Sequence, residues 1–238
     1  MIKKLGFLFL FGLLTCTVSA QSIQVLLVTG GQAFDTVPFF YIFDEMTDVE
    51  YTHFAQPAAN RAIADGRGED FDVLVFCDVW ENITAEQKAA YIRLTKQGKP
   101  FLFLHNSLMS YQNWSSFEEL VGGRFVKENK RTPEDEWSHS ESDVWVYSNV
   151  ENYTPVTIGF RELRFFDEVY DNIRILDAVK PLLRTRHPKS AEYIAWENRF
   201  NASTIVYIQP GHDKRTFENE DYKKLLLQAI KYLNTSTN

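Results

Sequence analysis

The chain has 238 residues, 45% of them hydrophobic, with 32 acidic and 25 basic side chains and a formal net charge of −7. An acidic chain without a basic stripe is a poor candidate for binding nucleic acid or an anionic membrane surface, and neither is expected as a partner. Its length is enough for one large α/β domain with a substantial core.

Residues 1–20 read as a targeting segment. Lys3 and Lys4 form a basic start, Leu5 to Leu14 an apolar run too short for a bilayer, and Val18-Ser19-Ala20 a small-residue cleavage site. Cleavage after Ala20 is expected to release Gln21 to Asn238 into the periplasm or the medium, free of the membrane. Cys16 follows Leu13-Leu14-Thr15, and threonine before cysteine makes a poor lipoprotein box. Cys77 is then the last cysteine, so no internal disulfide can form. Sequons at Asn82, Asn113, Asn152, Asn201 and Asn234 matter only in a host that glycosylates.

Gln24 to Val28 reads as a first buried strand, ended by Thr29-Gly30-Gly31, where paired glycines would let a ligand approach the backbone. The spacing of Phe39, Phe40 and Phe43 predicts a helix over Pro38 to Met46, and Val49 to Phe54 a shorter strand. Phe71 to Asp78 is a third strand, apolar up to its end. Thr84-Ala85-Glu86-Gln87 is a capping box that opens a helix running to Gly98. Phe101 to Leu104 is then a strand buried on both faces, and it stops abruptly at His105-Asn106-Ser107. Strand, helix and strand at this spacing indicate right-handed crossovers. The expected fold is a single α/β domain: a mostly parallel open sheet flanked by helices.

Trp114 to Leu120 reads as a short helix closed by Gly122-Gly123. The polar residues 127–142 read as a loop or flap carrying Trp137 and His139. Val144 to Tyr147 resumes strand character, and Asp167-Glu168 stand between aromatics. Strands are expected over Arg174–Val179, Tyr193–Trp196 and Thr204–Gln209, the last ending at Pro210-Gly211-His212-Asp213. Asp221 to Leu233 is an amphipathic closing helix.

Ligands bind outside the carboxyl ends of strands in open α/β sheets. His105 and His212 both stand at such ends, and with Asp167 and Glu168 they are the candidate catalytic residues. Imidazole and carboxylate can exchange protons with a sugar or ligate a zinc-class metal. No short spacing such as His-Glu-x-x-His is present, so polar strand caps remain the alternative. Gly30, Gly31, Gln32, Asn106, His139 and His187 are further candidates for substrate contact. Trp80, Trp114 and Tyr170 are candidates for stacking on sugar rings. Cys77 lacks the flanking glycines of a nucleophile elbow, which argues against a thiol nucleophile.

The segments Val28-Thr29-Gly30-Gly31, Leu104-His105-Asn106-Ser107, Phe117 to Gly123, Thr154 to Gly159, Asp167 to Tyr170, Arg186-His187-Pro188 and Ile205 to Asp213 occur in an order that resembles the ThuA-like (trehalose-utilisation) family. The resemblance covers about Ile23 to Leu233. It implies a class I glutamine amidotransferase-like, flavodoxin-like fold without the catalytic cysteine. It implies a role in sugar catabolism, on a sugar or on 3-keto-glycosides made by a partner dehydrogenase, with hydrolase, lyase and isomerase all open as reaction types. The alternative is a non-catalytic carbohydrate- or partner-binding domain. Relatives often carry histidine where this chain has Gln32 and Thr154. With those ligands missing and the others scattered along the chain, no metal or other cofactor is expected.

Overall fold

The computed structural model describes residues 21–129 and 132–236. The expected leader and Cys16 lie outside them. In chain order the elements are β1 (Ile23–Gly30), α1 (Thr36–Asp44), β2 (Val49–Ala55), α2 (Ala58–Ala64), β3 (Val73–Asp78), α3 (Ala85–Lys96) and β4 (Phe101–Leu104). Then come α4 (Ser115–Val121), β5 (Gly123–Arg124), β6 (His139–Val150), β7 (Glu162–Asp171), β8 (Arg174–Ile175) and β9 (Lys180–Thr185). The chain closes with β10 (Tyr193–Phe200), β11 (Ser203–Ile208), α5 (Lys214–Phe217) and α6 (Glu220–Thr235). No helix among the described residues is long and apolar enough to cross a membrane.

Nine strands form one sheet in the order β2-β1-β3-β4-β11-β10-β9-β6-β7. The five from β2 to β11 are mutually parallel, and β10, β9, β6 and β7 continue the sheet through antiparallel pairs. All strands except β10 and β6 therefore run the same way, as the mostly parallel expectation requires.

The apolar runs are continuous because both faces are covered. Val25, Leu27, Val75, Leu102, Leu104, Val206 and Ile208 pack under α1 and α6. The alternate residues Leu26, Val28, Phe76, Phe101, Phe103 and Tyr207 pack under α2, α3 and α4. Each such side chain contributes about 1.5–3 kcal/mol by leaving water. With β1, β3, β4 and β11 held rigid in register, their carboxyl ends line up along one edge.

The structure departs from the sequence expectations at several elements, and the strand β7 that carries Asp167 and Glu168 was not expected as such. Residues 127–142 are not one flap, because β6 begins at His139 and a 3₁₀ turn occupies Glu134–Glu136. The strand expected over Arg174–Val179 ends at Ile175, and the unexpected β9 follows it. Helix α2 was also unexpected.

Candidate functional site

Strand β4 ends at His105, whose φ of +43° lies in the left-handed region. A histidine tolerates this better than a β-branched residue, and such outliers gather at functional sites. The sharp turn starts the 3₁₀ segment His105–Met109 and leaves the imidazole buried at the strand edge. Its Nδ1 lies 2.7 Å from the Gln209 carbonyl, an acceptor, so Nδ1 carries a hydrogen. The ring stacks on Tyr170, with centroids 5.2 Å apart at 26°.

His212 arrives on the loop after β11. Gly211 has φ +136°, and a Cβ there would lie 2.5 Å from the Tyr222 hydroxyl, so only glycine suits this turn. The loop is clamped by Asp167: the Gly211 amide donates to Oδ2 at 2.8 Å and the His212 amide to Oδ1 at 3.2 Å. The Thr216 hydroxyl donates to the same carboxylate. Successive strand residues face opposite ways, so the next residue, Glu168, turns its carboxylate toward the histidines. Glu168 Oε2 is 3.2 Å from His105 Nε2 and 3.4 Å from His212 Nδ1, while the two nitrogens are 3.3 Å apart. Ser142, beside the irregular register of β6, donates to Glu168 Oε1 at 3.2 Å.

Burial opposes the charge on Glu168, but hydrogen bonds from His105 and His212 outweigh it and hold its carboxyl well below the usual carboxylate range. The hydrogen bond to Glu168, against partial burial, raises the His212 pKa. Asp167 stands corrected from catalytic candidate to positioning residue, because its oxygens are taken up by the His212 loop.

His212 also edges a narrow cleft lined by Gln32, Phe34, Cys77, Asp78, Val79, Asn106, Gly211 and Phe217. The cleft holds about 20 Å³, room for one water-sized group. Asp78 ends β3 as His105 ends β4, a polar stop after an apolar run that went unassigned in the sequence. Its buried Oδ2 accepts from Gln56 Nε2 at 2.9 Å. Gln56 is oriented by Asn60, which also accepts from the Tyr91 and Tyr111 hydroxyls. Burial, only partly offset by hydrogen bonds from Gln56 and Ser107, pushes the Asp78 carboxyl up to about 7. Burial likewise pushes the Cys77 thiol up to about 12, so it is no thiolate nucleophile. A wider groove near Arg124, Lys127 and Arg174 is larger than the cleft, but ion pairs with Glu118, Glu81 and Glu136 occupy those charges.

The remaining sequence candidates fall elsewhere or act differently. Gln32 and Asn106 line the cleft. Gly30 and Gly31 serve close backbone packing: the Val79 amide donates to the Gly30 carbonyl, and a Cβ on Gly31 would lie 1.6 Å from the Val79 carbonyl oxygen. Trp114 and Tyr170 are buried in the second core, so neither ring can stack on a sugar. Tyr170 instead donates to Asn106 Oδ1. Trp80 is half-buried against the same core. His139 pairs across from Asp171 and so faces away from Tyr170 and Glu168. His187 sits in a turn, where its Nδ1 accepts from the Lys189 amide. Thr154 makes its hydrogen bonds within its own turn, to Thr157 and Val156, so a histidine is not missed at the cluster there. The scatter of His105, Glu168 and His212 along the sequence likewise says nothing against a metal, because the fold gathers them; they are the one such group among the described residues.

The comparisons agree with this architecture. A ThuA-like protein from Parabacteroides merdae superposes with TM-score 0.74 at 14% identity, covering 90% of this chain and 91% of that one. A ThuA-like protein from Bacteroides uniformis gives 0.66 at 18% identity, over 93% and 95%. A chain of PurLQS from Thermotoga maritima gives 0.59 at 14% identity, over 90% and 100%. At these identities the likeness is one of fold. No curated protein matches the sequence. The family described as ThuA, trehalose utilisation, matches over residues 24–233, and the chain belongs to it.

Proposed function

We propose that this chain is an exported enzyme that acts on a sugar or 3-keto-glycoside by proton transfer in the cleft at the sheet's carboxyl edge. The observation that carries this reading is a buried carboxyl, Asp78, sharing one narrow cleft with His212 of the imidazole–carboxylate cluster. A proton-transfer group works best with a pKa near the working pH, and burial moves Asp78 toward it. Gln32 and Asn106 offer amides suited to sugar hydroxyls. The cleft admits one oxygen-sized group, so a single hydroxyl or carbonyl would enter it while the sugar ring stays outside. The family's description supports a sugar as substrate. A partner dehydrogenase would supply any 3-keto form, and the periplasm or medium is the place of action.

The test is calorimetry with trehalose, cellobiose and their 3-keto forms, followed by mass-spectrometric product analysis. A product from any of them is the expected result. Binding without product would favour the non-catalytic carbohydrate-binding domain, and neither binding nor product would contradict a carbohydrate role.

A further inference from the structure

We propose that His105 Nε2, His212 Nδ1 and Glu168 Oε2 are three ligands of a tetrahedral, zinc-class divalent metal site with its fourth position open. This deepens the reading above by naming a cofactor class for the same site. The three atoms form a nearly equilateral triangle with edges of 3.2, 3.3 and 3.4 Å. A tetrahedral ion with bonds of about 2.0–2.1 Å sets its ligand atoms about 3.3–3.4 Å apart. An octahedral ion with bonds of about 2.1 Å would set neighbouring ligands about 3.0 Å apart. The observed edges favour the tetrahedron.

Hydrogen placement points the same way. His105 Nδ1–H is committed to the Gln209 carbonyl, so neutral His105 presents a bare lone pair at Nε2. The single Tyr170 hydrogen goes to Asn106 and cannot cap that lone pair. Nε2 therefore meets a carboxylate oxygen and a second imidazole nitrogen, so either a metal cation or a hydrogen on one of the ring nitrogens must lie among them. Metal-bound histidines characteristically donate their other N–H to a backbone carbonyl, as His105 does. Two imidazoles and one carboxylate with an open position make a catalytic rather than a structural donor set. His212 carries the site to the edge of the cleft that has room for one water-sized group. An ion there would polarise a carbonyl or hydroxyl oxygen, or acidify bound water. The competing occupant is a proton, which would make His105 an imidazolium paired with Glu168.

The experiment strips the full-length protein with chelator and titrates it with zinc chloride, reading elemental content, calorimetry and unfolding temperature. Cobalt(II) chloride reports geometry through the intense visible bands of tetrahedral cobalt. We expect one ion per chain, a rise in unfolding temperature and tetrahedral bands. All three are lost in His212→Ala and Glu168→Gln and kept in the surface control Lys96→Ala, with circular dichroism confirming folded variants. No uptake by the wild-type protein would overturn the proposal, and so would uptake unchanged in both ligand variants. The readout needs no substrate, so a failure here leaves the proton-transfer role of Asp78 standing, and a failure there leaves the metal site standing.

Discussion

At the scale of single residues, Asp78 is the group whose environment changes its chemistry most. An unfolded aspartate titrates near 3.8, and the buried one near 7. Between those values the unfolded chain has lost its proton while the folded chain keeps it. Folding stability therefore falls as pH rises from about 4 to about 7 and levels off above. The full span is on the order of 4 kcal/mol. Asp78→Asn should flatten this slope in unfolding temperatures measured across that range; an unchanged slope would show the carboxyl ionised throughout. Gly31 is the second sensitive residue, with φ +82° and a Cβ position 1.6 Å from the Val79 oxygen. Gly31→Ala should cost at least about 2 kcal/mol in denaturant unfolding, and a loss below half that would mean the loop yields freely. His105 and His212 were legible in the sequence as polar stops after apolar runs. Asp78 gave the same signal after Cys77 and was passed over. The clamp role of Asp167 left no local signal, because it depends on a loop more than 40 residues away. Trp114 and Tyr170 misled because an aromatic beside polar residues reads the same whether it faces solvent or core.

At the scale of elements, legibility followed burial. Strands β1, β3, β4 and β11 are covered on both faces, so their runs are unbroken and unmistakable. Strand β6 is half-exposed, and its first residues, His139-Ser140-Glu141-Ser142-Asp143, have the composition of a loop. Only the pairing of His139, Ser140 and Glu141 with β7 makes this stretch strand. Strand β9 hides behind Pro181 and offers just Leu182 and Leu183 to the core. The capping box of α3 was plain in sequence and is present in full: the Gln87 amide donates to Thr84 Oγ1 at 3.3 Å, and the Thr84 amide to Gln87 Oε1 at 2.9 Å. Thr84→Ala should therefore destabilise the protein by about 1 kcal/mol in urea unfolding. A negligible effect would show that packing of Tyr91 and Leu94 alone fixes the helix.

At the scale of the whole molecule, a two-faced sheet brings the ends of β3 and β4, the loop after β11 and the acid pair of β7 to one edge. The parallel half supplies Asp78 and His105 on rigid strand ends. The antiparallel half supplies Glu168, and Asp167 ties the His212 loop across. The arrangement resembles an amidotransferase fold in which the thiol chemistry is gone: His105 occupies the sharp turn after β4, and Cys77 is locked as a neutral thiol. What stands at this edge is the His105–Glu168–His212 cluster beside a buried carboxyl, Asp78, whose pKa burial raises. The most direct test of that account is turnover of 3-keto-trehalose by the wild-type protein and by Asp78→Asn, matched for folding. General acid–base groups contribute about 10²–10⁴-fold, so the account predicts a loss of that size in the variant with calorimetric binding retained. Wild-type turnover in Asp78→Asn would contradict it.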